Sequence, residues 1–418
     1  MSSSQPRVVL GVGAGIAAYK VCELLRRLTE SGHDVRVVPT ADALRFVGEP
    51  TWAALSGHPV SPEVWTGVSE VPHVRLGQGA DLVFVAPATA DLLARAAHGL
   101  ADDLLTNTLL TARCPVVFAP AMHTEMWEHP ATQANVATLR SRGAIVVEPA
   151  AGRLTGKDTG PGRLPEPAEL FEVARHVLAR SAAGRAEGRD LAGRHVVVSA
   201  GGTREPIDPV RFIGNRSSGM QGYALARTAV ARGARVTLVS ANSALPDPAG
   251  ARVVRVGSAE EMRKAVLEAV QGGGPHPGGE ADAVVMAAAV ADFRPVGYQG
   301  SKIKKAAGVE PEPIALAKNP DILAELAARR PAGQVVVGFA AETDDVLANG
   351  RDKLARKGCD LLVVNQVGED LTFGLPDNEA VVLGADGTAT EVPRGAKEAL
   401  AEVVWDLVVA RLEPLPLG

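Results

Sequence analysis

The sequence is poor in cysteine, in aromatic residues and in net positive charge. Its three cysteines, Cys22, Cys114 and Cys359, lie far apart and form no CxxC pair, which argues against a disulfide framework or a zinc site. Aromatic residues make up only 4% of the chain, so its hydrophobic cores must be built mainly from Ala, Val and Leu. The formal net charge of −5 argues against a general nucleic-acid binder, which needs a basic excess.

A signal-peptide pattern and a long apolar run are also missing. A strand-like segment begins at Val8, almost directly after the N-terminus, whereas a secretory signal needs a basic region followed by a longer apolar one. No apolar stretch reaches the roughly 20 residues that span a bilayer. We therefore expect a cytoplasmic protein with no membrane segment.

What the chain does have is length and a repeated strand–helix pattern. Its 418 residues exceed one ordinary core, and strand-like runs alternate with helical segments in both halves. This alternation predicts an α/β protein with two doubly wound, Rossmann-like domains. An Ala/Gly-rich stretch at 181–190 is a candidate linker, which places the predicted domains at 1–180 and 191–418. The predicted strands are 8–12, 34–39, 81–86, 115–119 and 144–148 in the first half, and 195–200, 235–239, 283–288, 334–339 and 360–364 in the second.

The first Gly-rich turn, Gly11–Lys20, lies between a strand and a helix predicted at about 15–29. Small residues there let a phosphate approach the N–H groups of the helix N-terminus. A βα turn without a ligand is about as plausible an interpretation. A dinucleotide fingerprint would need a third glycine, where Ala18 stands, and an acidic residue at the end of the second strand, which instead ends in Thr40.

Four later motifs lie around the third and fourth predicted strands of the first half. They are PHVRLG with His73, APATAD at Ala86–Asp91 with ADDLLT at Ala101–Thr106, and APAMHTEMW at Ala119–Trp127. Ligands bind at strand ends in open α/β sheets. With the first turn and a later GxGR, these motifs resemble the flavin-containing cysteine decarboxylases. These motifs resemble specifically the first half of the bacterial bifunctional phosphopantothenoylcysteine decarboxylase/phosphopantothenate–cysteine ligases. With the second half included, the resemblance to these bifunctional proteins extends over nearly the whole chain.

The resemblance implies a flavodoxin-like first domain with FMN as cofactor and His73 as the catalytic base. Decarboxylation of a cysteine carboxylate needs an electron sink, and oxidation of the thiol to a thioaldehyde provides one. A histidine that titrates near neutrality suits the accompanying proton transfer. The residues implied to contact FMN are Gly13, Ala14, Gly15, Ile16, Thr40, Ala88, Thr89 and Met122.

The chain departs from the family at two positions of the substrate site. His123 stands where the family has an Asn that binds the substrate carboxylate, a contact that histidine can also make. In the substrate loop Gly152–Leu164, Thr155 stands where the family has a Cys that helps to reduce the product. Thr155 is thus the candidate proton donor, although it is a far weaker acid than Cys. Arg163 of the GxGR motif is a further predicted substrate contact.

The second half resembles the ligase of the same bifunctional proteins. Its signature begins at Ser199–Ala226, where Asn215 is an implied catalytic residue and SSG opens a helix. MAAAVADFRP at Met286–Pro295, SKIKK at Ser301–Lys305, AKNPDIL at Ala317–Leu323 and VGFAAET at Val337–Thr343 follow. The predicted substrate contacts are Arg211, Ser217, Ser218 and Gly219; the predicted CTP contacts are Met286, Ala287, Ala288, Asp292, Lys302, Pro320, Asp321, Ile322, Leu323, Phe339, Lys353 and Lys357.

The implied ligase reaction joins 4′-phosphopantothenate to L-cysteine through an acyl-cytidylate made from CTP. Lys302 is an implied catalytic residue that contacts the phosphates. Mg²⁺ is expected to neutralise the phosphates, with Asp292 as its candidate protein ligand. The same resemblance implies a homo-oligomer, a dodecamer built from trimers of the flavin domain and dimers of the ligase domain.

Two other interpretations compete with this one. Some relatives keep the flavin fold as an inactive regulatory subunit, which would leave an active ligase beside an inactive flavoprotein domain. The presence of His73 argues against that alternative. An NAD dehydrogenase with two nucleotide-binding domains is disfavoured because the ribose-binding acid is missing.

Overall fold

The computed structural model describes residues 5–62, 71–154, 158–183, 190–272, 279–304, 313–342, 346–366 and 377–414. The chain divides into two compact units. The first comprises Met1–Gly193, Ala229–Arg235 and Asp247–Ala251, and the second comprises Arg194–Thr228, Val236–Pro246 and Arg252–Gly418. The predictions for Thr155 and Lys305, and for 184–189 of the linker, lie outside the described residues, and the helix Pro167–Ala182 includes the first two residues of the predicted linker.

The first unit is built on a five-stranded sheet in the order β2-β1-β3-β4-β5, and every pair in it is parallel. A separate hairpin, β6–β7, is antiparallel. The strands are β1 Arg7–Val12, β2 Asp34–Pro39, β3 Leu82–Ala88, β4 Val116–Pro120, β5 Ile145–Val146, β6 Ala150–Arg153 and β7 Thr159–Arg163. The helices are α1 Ala18–Glu30, α2 Glu49–Ser56, α3 Pro72–Gly79, α4 Ala90–His98, α5 Leu104–Thr111, α6 Thr124–Glu128, α7 Pro130–Ser141 and α8 Pro167–Ala182, with a 3₁₀ turn at Ala41–Arg45.

The first core follows from the apolar pattern of these elements. All residues of β3 are buried, as expected for a central parallel strand covered on both faces. Helix α1 buries Val21, Leu24, Leu25 and Leu28, which share one face at helical spacing. The strand order changes direction at β1, so right-handed crossovers place helices on both faces of the sheet. The first unit is therefore doubly wound and flavodoxin-like.

The second unit contains an eight-stranded sheet in the order β12-β11-β8-β13-β16-β17-β18-β19. Its first six positions follow the doubly wound order of nucleotide-binding sheets, with the change of direction between β8 and β13. The sheet strands are β8 His195–Gly201, β11 Arg235–Ala241, β12 Ala251–Val256, β13 Ala283–Met286, β16 Val335–Glu342, β17 Leu361–Gln366, β18 Asp377–Gly384 and β19 Ala389–Ala396. The short strands are β9 Arg204–Pro206, β10 Phe212–Gly214, β14 Phe293–Pro295 and β15 Leu316–Lys318, and the helices are α9 Met220–Ala231, α10 Ala259–Val270, α11 Ile322–Arg329, α12 Val346–Lys357 and α13 Lys397–Val409.

The predicted strands are confirmed, with two corrections. Strands β18 and β19 pair antiparallel to their neighbours, so the prediction of a parallel sheet is wrong at this edge. Strand β13 ends at Met286 rather than at residue 288, because the backbone of Ala288 leaves the ladder to donate a hydrogen bond to Ser199 Oγ at 3.1 Å. None of the described helices is long and apolar enough to cross a bilayer.

Candidate active sites

The change of direction in the first sheet opens a crevice at the carboxyl ends of β1 and β3. The loop after β1 contacts the end of β3, where Gly13 N donates a hydrogen bond to Pro87 O at 3.1 Å. A Cβ at Gly13 would lie 2.5 Å from that same oxygen, so only glycine permits this approach. The predicted FMN contacts at Gly13–Ile16 and at Ala88–Thr89 are thereby brought to one edge of the sheet.

The N-terminus of α1 is well suited to an anion. Its cap residue, Ala17, makes no side-chain cap bond and its first turn carries no acidic residue. The N–H groups of Ala18, Tyr19 and Lys20 already donate to Gly15 O, Ile16 O and Ala17 O, so a phosphate here would be bound by the N–H groups of the loop just before the helix. The Thr40 and Thr89 hydroxyls accept N-cap bonds from Ala43 N and Leu92 N, and each hydroxyl keeps a hydrogen to donate. These donors fit the phosphate and ribityl hydroxyls of FMN.

Two large side chains beside the Gly-rich loop between β1 and α1 are exposed to solvent. Ile16 is 67% exposed and Tyr19 is 60% exposed, which is unusual for apolar groups next to a Gly-rich turn. Ile16 was predicted as an FMN contact, whereas Tyr19 was missed. Its position as the second residue of α1, beside the Gly-rich turn, was the sequence signal that pointed to it.

The end of β4 carries Met122 and His123, and the β6–β7 hairpin packs directly on it. Met122 N donates to Gly162 O at 2.9 Å. A Cβ at Gly162 would collide with Met122 O, and the φ of Gly162 is +143°, a conformation that favours glycine. The hairpin of the predicted substrate loop therefore lies against the segment of His123, whose Nδ1 is 3.6 Å from Glu125 Oε2.

Arg163 at the end of β7 joins a small charged cluster. Glu166 pairs with Arg163 and also with Lys20 Nζ at 3.1 Å. Burial, and then the nearby Arg163 charge, lower the pKa of Lys20. Two cations share one carboxylate, so the cluster keeps a net positive charge beside α1 that suits an anionic substrate.

His73 lies in the first turn of α3, which packs on α5, the helix of the ADDLLT motif. Thr111 Oγ1 at the end of α5 donates to His73 O at 2.7 Å. The side-chain Nδ1 of His73 is buried without a hydrogen-bond partner among the described residues. Because buried polar atoms are nearly always paired, this atom fits a site completed by a ligand.

The second unit has its own crevice at the carboxyl ends of β8 and β13. Thr203 Oγ1 accepts from Ala291 N at 2.9 Å, and Asn215 Nδ2 donates to Val290 O at 3.0 Å. A Cβ at Gly202 would lie 2.7 Å from Asn215 O. The predicted catalytic Asn215 is thus held between the ends of the two central strands, and its side-chain Oδ1 and second N–H have no partner among the residues that the structure describes. Thr203 was missed by the sequence reasoning.

The predicted phosphate loop precedes α9. Gly219 N donates to Ser217 Oγ at 3.3 Å and Met220 N donates to Ser218 Oγ at 3.4 Å. Both serines are exposed, and Gly219 has a φ of +81°, which favours glycine. This arrangement presents hydroxyl and backbone donors at a helix start, as an anion site requires.

The predicted CTP contacts are only partly brought together. Met286 and Ile322 are core residues, so a nucleotide reaches their backbone and not their side chains. Leu323 packs against Gly338, next to the half-buried Phe339. Lys357 pairs with Asp321, the N-cap of α11. The other predicted contacts lie directly after β13 (Ala287 and Ala288), just before α11 (Pro320) and in α12 (Lys353).

Asp292 is exposed at the start of β14. The described residues contain no group of three or more His, Cys, Asp or Glu side chains that would hold a metal ion. The remaining predicted contacts, Arg211 and Lys302, are both exposed. Arg211 donates a hydrogen bond to Asp208, a residue that the sequence reasoning missed.

Comparison with known proteins agrees with these two halves. The family model described as "Flavoprotein" matches residues 1–178, and the one described as "DNA/pantothenate metabolism flavoprotein C-terminal domain" matches residues 191–412. The coenzyme A biosynthesis bifunctional protein CoaBC of Mycolicibacterium smegmatis (strain ATCC 700084 / mc(2)155) is 57% identical over 421 residues, covering 98% of this chain and 99% of the relative. The chain belongs to this family.

More distant members agree. The bifunctional protein CoaBC of Vibrio parahaemolyticus serotype O3:K6 (strain RIMD 2210633) is 42% identical over 94% of this chain and 96% of its own. A crystal structure of the C-terminal domain of a CoaBC protein shares 34% identity, covers 53% of this chain and 97% of its own, and has a TM-score of 0.44. The two family models and the relative that is 57% identical show that this chain is a bifunctional enzyme of coenzyme A biosynthesis with a flavoprotein half, and they contradict the dehydrogenase interpretation.

Proposed function

We propose that the C-terminal half of this enzyme joins 4′-phosphopantothenate to L-cysteine with CTP. The FMN-dependent N-terminal half then decarboxylates the product, 4′-phosphopantothenoylcysteine, to 4′-phosphopantetheine. The observation that carries this proposal is that each half assembles its own motifs at the switch point of its own sheet. The Gly-rich loop before α1 and the Nδ1 of His73, buried without a hydrogen-bond partner among the described residues, support the first site, and the placement of Asn215 supports the second.

In the decarboxylase half, bound FMN would supply two-electron oxidation and reduction of the substrate thiol. The N–H groups of the loop before α1 and the hydroxyls of Thr40 and Thr89 would hold it. His73 acts as the general base, which accepts a proton from the substrate and later returns it. His123 and the positive Arg163 cluster bind the substrate's anionic groups. Thr155 as the second proton donor remains a prediction.

In the ligase half, the Ser217–Gly219 loop and Lys302 bind phosphate groups, and Arg211 binds phosphopantothenate. Asn215 donates its unused amide N–H to the acyl carbonyl, where negative charge develops as the cysteine amine attacks. Mg²⁺ would be held mainly by the nucleotide's phosphate oxygens, since Mg²⁺ usually takes only one or two protein carboxylates. Asp292 is the proposed protein ligand because its carboxylate is exposed directly before β14.

The decisive experiment incubates the purified enzyme with phosphopantothenate, cysteine, CTP and Mg²⁺ and identifies the products by mass. We expect phosphopantetheine, pyrophosphate and CMP, and a flavin absorption spectrum in the protein. ATP in place of CTP should give much slower pyrophosphate release. If phosphopantothenoylcysteine accumulates and supplied phosphopantothenoylcysteine is not decarboxylated, the alternative of a ligase with an inactive flavoprotein domain is correct.

The dodecameric assembly and the cytoplasmic location remain predictions. The exposed Ile16 and Tyr19 beside the flavin loop support a flavin site completed by a second subunit. Light scattering of the purified enzyme measures the assembly, and a monomer with full activity would contradict it.

A further inference from the structure

Asp208 is a fully buried carboxylate in the turn between β9 and β10. Its side chain is 0% exposed, whereas that of Arg211 is 48% exposed. Asp208 Oδ1 accepts from Val210 N and Arg211 N, both at 2.8 Å. Asp208 Oδ2 accepts from Arg211 Nε at 3.0 Å, from Arg211 Nη2 at 2.6 Å and from Ile303 N at 3.2 Å. The hydrogen bond from Arg211 holds the pKa of the Asp208 carboxyl well below its usual range.

These bonds join two segments that are far apart in sequence. Arg211 Nη2 also donates to Ile303 O at 2.9 Å, so both backbone polar groups of Ile303 are tied to the Asp208–Arg211 pair. Gln299 N donates to Ile207 O at 3.0 Å, which adds a third link. Lys302 is the residue directly before Ile303. The turn and the lysine segment are therefore fixed to one another through Asp208.

The pair also orients the Arg211 guanidinium. Three bonds from Nε and Nη2 are directed to Asp208 and Ile303. A guanidinium has five N–H donors in a rigid plane, so the two on Nη1 are left for a substrate among the described contacts. A guanidinium that is already oriented loses less conformational entropy when it binds an anion.

We propose that Asp208 is a positioning residue of the ligation reaction. It fixes Arg211 and the Lys302 segment in register before the two phosphate-bearing substrates bind. This inference rests on the proposed ligase function, in which Arg211 and Lys302 contact those substrates. The Asp208 side chain is itself fully buried and acts through Arg211 and Ile303.

The first test compares Asp208→Asn with Asp208→Glu. Asparagine keeps the size, but it removes the charge and turns an amide N–H toward the donors of Arg211 and Ile303. Displacement of reacting groups by about 1 Å costs about 100-fold in rate. We therefore expect kcat/KM for phosphopantothenate in Asp208→Asn to fall about 100-fold, with partial recovery in Asp208→Glu, which restores the charge. Decarboxylation of supplied phosphopantothenoylcysteine should not change.

A purely structural role is separated by the amplitude of the pyrophosphate burst. Partial unfolding lowers the burst amplitude and leaves the KM of the remaining folded enzyme unchanged, which would overturn the proposal. Positioning predicts full amplitude with a raised KM or a lowered burst rate. A loss smaller than about twofold in Asp208→Asn would also overturn it. No ligation by the wild-type enzyme would instead refute the proposed function.

The second test is a double-mutant cycle with Arg211→Lys. If Asp208 acts through Arg211, the double variant should be little worse than the poorer single variant, because contacting residues couple. Losses that multiply would show that the two residues act independently and would contradict the proposal.

Discussion

Substitution of Gly77 by alanine should disable the decarboxylase by moving the helix that carries His73. Gly77 lies one turn after His73 on α3, where that helix packs against α5. A Cβ at Gly77 would lie 2.8 Å from both Thr108 O and Thr111 C, and closer still to Thr111 Oγ1. Two of these three atoms belong to the α5 backbone, so rotation of a side chain cannot relieve the overlap.

The expected magnitude follows from two opposing effects. Overpacking of this kind costs about 1–3 kcal/mol, whereas alanine is favoured over glycine inside a helix by about 1 kcal/mol. The net loss of stability is therefore modest, and the fold should survive. The displaced α3 would, however, stretch the Thr111–His73 hydrogen bond, which is 2.7 Å long. A shift of about 1 Å at a catalytic group costs about 100-fold in rate.

Gly79→Ala is the control because it makes the same substitution two residues later, at the last residue of the same helix. A Cβ there meets only Arg7 Nη1, at 3.5 Å, an ordinary contact. The assay measures carbon dioxide release from supplied phosphopantothenoylcysteine, with ligation and flavin absorbance recorded for each variant. We expect about 100-fold slower release for Gly77→Ala and unchanged release for Gly79→Ala. Equal rates for the two variants would refute the argument that close α3–α5 packing positions His73.

Three further predictions concern single side chains. His73→Asn should abolish carbon dioxide release while ligation and flavin content persist, and normal decarboxylation by this variant would rule out His73 as the base. Asn215→Asp should still release pyrophosphate but accumulate acyl-cytidylate, since loss of an oxyanion donor costs about 100–1,000-fold in rate, whereas Lys302→Gln should form little acyl-cytidylate. Quenched single-turnover analysis with and without cysteine distinguishes the two variants. An equal block of pyrophosphate release in both would contradict this division of roles between Asn215 and Lys302. Burial raises the pKa of the Cys359 thiol to about 11 from 9.0. The unfolded thiol therefore ionises first, and stability falls as pH rises from 9 to about 11, by up to about 1.4 kcal/mol per pH unit. Urea midpoints of the wild type relative to Cys359→Ala should show this decline, and a constant difference across that range would contradict it.

Local pattern was enough to predict the strands of both parallel cores. The runs at Val8–Val12 and His195–Ala200 are apolar because a central parallel strand is covered on both faces. Burial on both faces requires consecutive apolar residues, and such a run can be recognised from the sequence. The motifs after these strands were predicted as ligand sites for a similar reason. In open α/β sheets the loops at strand ends meet at one edge, so sequence position alone places Gly13 and Thr89 near each other.

The antiparallel strands β18 and β19 were missed because their burial alternates only in part. Strand β18 carries buried and exposed residues in an irregular order, and its direction depends on pairing with β17, such as Val364 with Val381. Strand direction at a sheet edge is set by that partner and by the length of the connection, not by the residues of the strand itself.

The residues that hold the catalytic groups in place were decided only by the tertiary structure. Thr111 binds the His73 carbonyl from 38 positions away, and Asp208 binds the Ile303 amide from 95 positions away. Neither residue belongs to a pattern that points to its partner, because a threonine at a helix end and an aspartate in a turn have ordinary local uses. Sequence motifs therefore determined which residues are the candidates for the chemistry, whereas packing of distant segments determined which residues orient those candidates.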